Sequence, residues 1–265
     1  MKVFISADME GITGTTNWEE CDQKSPFYAR FAEQMTKEVV AACEGAIAAG
    51  ATEIVVKDAH NSATNIDITQ LPTNVKLIKG WSGHPYSMVD GIDASFDAVL
   101  FIGYHSAAGI PGNPLSHTMT GNPWQIKING EYASEFMIYS YAATREGVPT
   151  VFLSGDASLC QSAIQQHPQI VTVPVKEGFG GTTINFAPSQ TLTQIREKTE
   201  LALKGDLKSC KIDLPRHFDV EVTYKEHVFA TRKSFYPGAE KVSAQTIKFS
   251  TEDYFEVLRL FAFVL

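Results

Sequence analysis

The chain has 265 residues, of which 30 are acidic and 22 are basic, so its formal net charge at neutral pH is −8. Apolar residues make up 44% of the sequence and charged residues 20%, as in folded globular proteins and unlike disordered chains. The acidic balance and the lack of any run of Lys and Arg argue against nucleic acid and anionic membranes as partners.

Short β-branched runs alternate with helical patterns through most of the chain, which is the pattern of an α/β layered domain. In chain order, strands are predicted at residues 3–6, 53–57, 75–79, 98–103, 125–128, 150–154 and 170–175. Several of these runs are almost entirely apolar, as expected for strands that helices cover on both faces. The sequence therefore predicts a sheet between two helical layers.

The longest predicted helix covers residues 26–49, between the first two strands. Pro26 suits its first turn, apolar residues recur at helical spacing from Phe27, and Gly50 suits its end. Further helices are predicted at residues 132–145, 157–166 and 189–204.

The C-terminal part has a different pattern. Residues 218–224 and 241–249 alternate apolar and polar side chains, which predicts half-exposed strands. Ser250 with Asp253 predicts a capping box for a last helix that runs to Leu265.

These two patterns divide the chain into two parts. We predict an α/β fold, with a layered α/β/α sheet domain over residues 1–155 and a second, smaller α/β part over residues 156–265 packed against it. No segment rich in Pro, Gly or Ser separates the two parts, so we expect them to share an interface.

The cysteines and the N-terminus favour the cytoplasm. The four cysteines lie far apart and form no C-x-x-C pair, so we expect reduced thiols rather than a disulfide framework. Met1 leads directly into Val3-Phe4-Ile5, without the long apolar core of a signal peptide. The longest apolar run, residues 260–265, is much shorter than the ~20 residues of a membrane-spanning helix.

Carboxylates and imidazoles follow three of the predicted strands. Asp8 and Glu10 follow the first strand, Asp58 and His60 follow the second, and His105 follows the fourth. Residues two apart on an extended chain face the same side, so each pair is expected to point together. Ligand sites of open α/β sheets usually lie at this carboxyl edge, and the sequence therefore predicts a site there.

Imidazole together with carboxylate favours Zn²⁺ or its neighbours, whereas all-oxygen sites favour Mg²⁺ or Ca²⁺. Two carboxylates, two histidines and one further acid are enough for two metals that share a bridging carboxylate. Such a pair of metals activates water for hydrolysis. From these residues alone, helix caps, turns and hydrogen-bonded surface histidines are an equally good explanation.

Several short motifs of this chain match, in the same order, the motifs of one enzyme family. They are Asp8-Met-Glu-Gly-Ile-Thr-Gly14, Val56-Lys-Asp-Ala-His60, Gly103-Tyr-His105, Ser116-His-Thr-Met119, and Ile128-Asn-Gly130 with the following Glu135. Together they resemble the zinc-dependent D-aminopeptidases, the DppA-like family of M55 peptidases. The resemblance extends from Met1 to the C-terminal helix, and its specific motifs lie in the first ~155 residues.

The resemblance implies a dinuclear zinc aminopeptidase that releases N-terminal D-amino acids from short peptides by metal-activated hydroxide attack. It implies two Zn²⁺ per subunit, with Asp8 as the bridge, and a catalytic role for His117 without zinc ligation. The implied zinc ligands are Asp8, Glu10, His60, His105 and Glu135.

The resemblance also bears on assembly and on two details of the site. Family members form ring-shaped homo-oligomers, so a ring-shaped decamer is implied, and the apolar residues 261–265 either pack inside the subunit or are covered by another one. Ser134 stands where the family commonly has glycine, so we expect a slightly different approach of Glu135. For Asp58 we favour orientation of a metal-bound histidine over direct ligation.

Two alternatives remain open at this point. One is another metal-dependent hydrolase on the same ligands, an amidase or a phosphoesterase. Phosphoesterases usually add cationic groups, and the ligand motifs contain only Lys57, which should face away from Asp58. The other is a non-catalytic peptide-binding protein stabilised by its metal. Structural zinc sites are normally closed by four ligands, often cysteines, and the implied ligand set contains none.

Overall fold

The computed structural model describes residues 1–265, which form two β-sheets and six α-helices. The strands are β1 (Lys2–Ala7), β2 (Glu53–Asp58), β3 (Val75–Ile78), β4 (Ala98–Tyr104), β5 (Pro123–Ile128), β6 (Glu131–Tyr132), β7 (Thr150–Asp156), β8 (Val171–Phe179), β9 (Thr182–Asn185), β10 (Phe218–Tyr224), β11 (Glu240–Lys241) and β12 (Thr246–Thr251). The helices are α1 (Tyr28–Ala48), α2 (Glu135–Arg145), α3 (Ala157–Gln166), α4 (Pro188–Lys204), α5 (His227–Lys233) and α6 (Tyr254–Val264).

The larger sheet has seven strands in the order β3-β2-β1-β4-β7-β8-β9. Its pairs are parallel except at the β9 edge. Alternate side chains of β1 enter two separate cores: Val3 and Ile5 join the core that contains α1 and α4, whereas Phe4 joins the core that contains α2. Both faces of the sheet are therefore covered by helices, which confirms the predicted layered α/β fold.

The second sheet is antiparallel, with five strands in the order β11-β12-β10-β5-β6. In β10 the side chains of Phe218, Val220, Val222 and Tyr224 are buried and the residues between them are not, as the alternating pattern predicts. α6 packs against this sheet and against α2. The second sheet therefore shares the core on the α2 face of the first.

The two sheets interleave along the chain. β5 and β6 come before residue 155 yet belong to the second sheet, whereas β8 and β9 come after it and belong to the first. The boundary between the sheets therefore does not fall at one position in the sequence. The division into folding units at 1–155 and 156–265 stays a prediction.

Helix α2 begins three residues later than the sequence pattern suggests. Tyr132 lies in the short strand β6, and Ser134 caps the helix, because its Oγ accepts a hydrogen bond from the Met137 N–H at 3.1 Å. This cap makes Glu135 the first helical residue. Ser134 therefore fixes the start of the helix that carries Glu135.

Three details of the C-terminal part differ from what the sequence indicated. Helix α5 was not predicted, and the expected strand at 241–249 is broken between β11 and β12. Ser250 belongs to β12 and caps nothing. The cap of α6 is Asp253, whose carboxylate accepts a hydrogen bond from the Phe255 N–H at 2.9 Å.

The apolar C-terminus packs inside its own subunit. Leu260, Phe261 and Val264 are buried, whereas Phe263 is 65% exposed. The Tyr224 hydroxyl donates a hydrogen bond to the Val264 carbonyl at 3.0 Å, which ties the last turn to β10. The hydrophobicity of this segment is thus explained within one chain and gives no support for assembly.

Two further sequence expectations concern the cysteines and the membrane. All four cysteines are free thiols, and Cys21, Cys43 and Cys160 are buried. None of the helices combines the length and the apolar character that a membrane crossing requires.

Candidate metal centre

The topology brings the predicted site residues to one edge of the larger sheet. β1 pairs in parallel with both β2 and β4, so the segments that follow these three strands lie side by side. The start of α2 and the loop between β4 and β5 complete the site. Around it lies a cavity of about 580 Å³, whose lining includes Asp8, Glu10, His60, His117 and Glu135. His105 is almost fully buried beside them.

Three of these residues form a group that we call the Glu10 subsite: Asp8, Glu10 and His60. The Nδ1 atom of His60 lies 3.2 Å from Asp8 Oδ1 and 2.9 Å from Glu10 Oε2. Its Nε2 atom lies 3.0 Å from the carbonyl oxygen of Cys21. A carbonyl only accepts hydrogen bonds, so Nε2 carries the hydrogen and the Nδ1 lone pair of the neutral ring faces the carboxylates.

A second group, the Glu135 subsite, consists of Asp8, His105 and Glu135. The Nε2 atom of His105 lies 3.4 Å from Asp8 Oδ2 and 3.3 Å from Glu135 Oε2. Its Nδ1 atom lies 3.0 Å from the Ser106 carbonyl oxygen and therefore carries the hydrogen. The two oxygens of Asp8 thus face two different imidazoles, which is the geometry of a bridging carboxylate.

The chemistry of these groups fits bound metal. Asp8 Oδ2 and His105 Nε2 are buried and have no hydrogen-bond partner, which is unusual for buried polar atoms. Burial raises the pKa of Asp8 well above its usual range, and the charge of Glu10 raises it further. Burial opposes charge on His105, but the carboxylates of Glu135, Asp8 and Glu10 together outweigh burial and raise the pKa of His105 to about 10. Without metal, protons on Asp8 and His105 balance the negative charge of the cluster. Divalent cations can displace these protons and supply the positive charge instead.

Cys21 is a neighbour that the sequence did not indicate. Its Sγ atom forms one candidate metal-binding group with Glu10 and His60, whose ligand atoms all lie within 4.8 Å of one another. Burial raises the pKa of this thiol, and the charges of Glu10 and Asp8 raise it further. The ligand set that the family resemblance implies contains no cysteine, so Cys21 stays outside the proposed ligand set.

His117 lies at the side of the Glu135 subsite. Its Nε2 atom is 3.6 Å from Glu135 Oε1, and its Nδ1 atom donates to the Leu115 carbonyl oxygen at 2.9 Å. Its ring stacks on that of His105, with 4.3 Å between the centroids, and the edge of Trp18 covers it at 5.2 Å. The ligand atoms of His117, His105 and Glu135 also form a candidate metal-binding group, so the absence of zinc ligation by His117 stays a prediction.

The carboxylate of Glu135 is held by a strained backbone. The Met119 N–H donates to Glu135 Oε1 at 2.6 Å, which leaves Oε2 toward His105. Met119 has a φ angle of +64°, a left-handed conformation that non-glycine residues rarely adopt. Such strain is common where the surrounding structure fixes a functional group.

A pair of variants at Met119 tests this arrangement. Glycine adopts a positive φ freely, so Met119→Gly should bind zinc with near wild-type affinity. Met119→Val should lose about 1–3 kcal/mol of stability and bind zinc more weakly, because a β-branched residue resists this backbone conformation. Both variants lose the thioether, so the contrast isolates the backbone. Zinc titration and thermal unfolding measure the two effects, and equal zinc affinity in both variants would contradict the assignment.

Asp58 does not have the predicted role. Its carboxylate accepts hydrogen bonds from the N–H groups of Asn65 (2.5 Å) and Ile66 (2.9 Å) and does not contact the His60 ring. The Asn65 side chain in turn donates to the His60 carbonyl at 2.7 Å. Asp58 therefore fixes the loop that carries His60, while the Cys21 carbonyl orients the ring. Any residue supplies a carbonyl, so no sequence signal marks this partner.

The rest of the cavity wall is acidic and aromatic. Its carboxylates are Asp8, Glu10, Asp22 and Glu135, and its aromatic walls are Trp18 and Trp81. Trp81 donates its indole N–H to the Asn61 carbonyl at 2.7 Å, and the buried Lys57 ammonium lies 4.2 Å from its ring centroid. No Lys or Arg lines the cavity. This lining offers no cationic group for a phosphate, which weighs against the phosphoesterase alternative.

Comparisons with known proteins identify the family of this chain. Residues 1–263 match the model of peptidase family M55, the D-aminopeptidases. A D-aminopeptidase of Bacillus subtilis strain 168 is 30% identical over 258 residues, which cover 97% of this chain and 93% of that protein. A solved structure, the Zn-dependent D-aminopeptidase DppA from Bacillus subtilis, a self-compartmentalizing protease, has a TM-score of 0.93 and 28% identity, over 100% of this chain and 96% of its own. The chain therefore belongs to the D-aminopeptidase family of M55 peptidases.

Proposed function

We propose that the protein is a zinc-dependent aminopeptidase that releases N-terminal D-amino acids from short peptides. The observation that carries this proposal is the position of Asp8, whose buried Oδ1 faces His60 and whose buried Oδ2 faces His105. Membership of the D-aminopeptidase family supports the peptide substrate, and the zinc dependence of the related DppA structure supports the metal.

The chain offers ligands for two zinc ions per subunit. Glu10 and His60 would hold one ion, His105 and Glu135 would hold the other, and Asp8 would bridge them. Bound zinc polarises a scissile carbonyl and activates water at neutral pH. The buried side chains around the ligands fix their positions.

His117 is the residue of this chain best placed to handle a proton. Its Nδ1 hydrogen is taken by the Leu115 carbonyl, so the Nε2 atom faces Glu135 and the cavity. There it would hold the proton that the leaving amine needs, or stabilise the developing oxyanion. Trp18 covers the ring and limits its contact with solvent.

Zinc content and stereochemistry test this function together. We expect about two zinc ions per chain after reconstitution. We also expect faster release of free amino acid from D-alanyl than from L-alanyl dipeptides. A chelator should abolish activity and zinc should restore it. The proposal would be contradicted if the reconstituted protein contained only trace metal. It would also be contradicted if the protein hydrolysed a phosphomonoester instead of the peptide. An amino-acid amide cleaved faster than any dipeptide would favour the amidase alternative.

We also propose that the protein forms a ring-shaped homo-oligomer, a decamer, that encloses its active sites. The related DppA structure is a self-compartmentalizing protease, and its fold matches this chain over its whole length. Enclosure would restrict substrates to short peptides. Light scattering should give the mass of a decamer, and a monomer at micromolar concentration would contradict the assembly.

The cytoplasm is the proposed location. The four free cysteines, three of them buried, support a reducing compartment, because oxidising compartments favour disulfides. Cell fractionation that finds the protein outside the cytoplasm would contradict this.

A further inference from the structure

We propose that Asn113 and Asp156 form a positioning pair that sets the geometry of the zinc ligands. The two side chains contact each other and connect the segments that carry Glu10, His105 and His117. Neither residue lines the cavity, so both act through other residues. The inference rests on the proposed function, because it concerns how the chain holds zinc.

Asp156 fixes the residue that orients His105. It stands at the end of β7 and is fully buried. Its Oδ2 atom accepts the Ser106 N–H at 2.7 Å, and its Oδ1 atom accepts the Ser106 hydroxyl at 2.6 Å. The carbonyl of the same Ser106 takes the Nδ1 hydrogen of His105, which leaves the Nε2 lone pair for a metal. Asp156 therefore holds Ser106 by two hydrogen bonds, and the Ser106 carbonyl orients the His105 ring.

Asn113 connects the other two segments. Its side-chain amide donates to the Glu10 carbonyl at 3.0 Å and to Asp156 Oδ2 at 3.4 Å. Its Oδ1 atom accepts the Leu115 N–H at 2.9 Å. The Leu115 carbonyl in turn accepts the Nδ1 hydrogen of His117. One asparagine thus links the backbone of a zinc ligand to the backbone that orients His117.

The carboxylate at position 156 is chemically required for this arrangement. Four donors point at its two oxygens: the Ser106 N–H and hydroxyl, the Asn113 amide and the Leu159 N–H. An asparagine would replace one carboxylate oxygen with an NH₂ group. This group would then face the hydrogen-bond donors that the oxygen had accepted. The nearby ammonium of Lys176, which donates to the Glu10 carbonyl at 2.5 Å, helps to balance the buried charge.

The ordinary explanation is that Asp156 only caps helix α3. The Leu159 N–H does donate to its Oδ1 atom at 2.9 Å, as in any capped helix. A cap accounts for one of the four donors. A purely structural role would lower stability without changing zinc affinity, whereas a positioning role would change both.

The test is a zinc titration against a chromophoric chelator with metal-free protein. Asp156→Asn should bind zinc about 10–100-fold more weakly, the usual cost of losing such a partner of a ligand. The control is Asp253→Ala, which removes the cap of α6 outside the cavity lining. It should lower the unfolding temperature and leave zinc affinity unchanged. Ser106→Ala removes one of the four donors and should weaken zinc binding less than Asp156→Asn.

Asn113→Ala examines the second connection. It should lower kcat about tenfold or more with little change in KM, because the backbone that orients His117 loses its support. Zinc affinity equal to wild type in Asp156→Asn and Ser106→Ala would overturn the proposal, even if stability falls. If Asp156→Asn does not fold, Ser106→Ala decides. A wild-type protein that binds no zinc would instead contradict the proposed function, so the two failures are distinguishable.

Discussion

Asp8→Ala should empty both zinc subsites and abolish peptide hydrolysis, whereas His105→Ala should abolish hydrolysis but leave one zinc ion bound. The difference arises because Asp8 contributes one oxygen to each subsite, while His105 belongs to the Glu135 subsite alone. Elemental analysis of the reconstituted variants should therefore give almost no zinc for Asp8→Ala and about one ion per chain for His105→Ala.

Each variant needs evidence that the fold is intact. Asp8 and His105 lie directly after β1 and β4, and alanine at either position leaves the backbone hydrogen bonds in place, so circular dichroism should match that of the wild type. Equal zinc content in the two variants would contradict the bridging role of Asp8. Activity of His105→Ala near that of the wild type would contradict the two-zinc site itself.

His117→Ala should retain both zinc ions and lose about 10²–10⁴ in kcat, the usual range for a positioned acid or base. The His117 Nε2 atom lies 3.6 Å from Glu135 Oε1, beyond hydrogen-bond distance, and the other ring nitrogen is bonded to the Leu115 carbonyl. Steady-state kinetics and elemental analysis on the same preparation measure both effects. His84→Ala is the control, because His84 packs on Tyr86 and Phe255 away from the cavity.

Two outcomes would contradict this role. Loss of one zinc ion would make His117 a ligand, which its distance from Glu135 and His105 permits. Activity near that of the wild type would make it an ordinary hydrogen-bonded histidine. His117→Gln separates the two catalytic roles: an amide can stabilise an oxyanion but cannot transfer a proton, so partial activity favours the former.

The parts of the site that the sequence predicted follow from local rules. Asp8 and Glu10 come two residues apart at the end of a buried strand, and parallel pairing brings His60 and His105 to the same edge. Glu135 has no such local signal, since it lies at the start of a helix, and only the resemblance indicated it. Its position depends on the Ser134 cap and on the left-handed Met119, which are tertiary features.

The wrong predictions have physical reasons as well. Asp58 is the last residue of β2, and its carboxylate accepts hydrogen bonds from two backbone N–H groups and one side-chain amide of the next loop, so it is not available to the His60 ring. Strand pairing is also non-local. The segment 123–128 joins the second sheet because β10, almost a hundred residues later, is its partner. Periodicity identifies a strand but does not choose its neighbour.

The backbone partners of the two histidines have an evolutionary consequence. The main-chain carbonyl of Cys21 holds His60 in one tautomer, and that of Ser106 does the same for His105. Every amino acid has this group, so substitution of Cys21 should leave the His60 tautomer intact. Deletion of a residue between Glu10 and Cys21 should not, because the carbonyl would move. Divergence in this loop is therefore expected to change its composition more freely than its length.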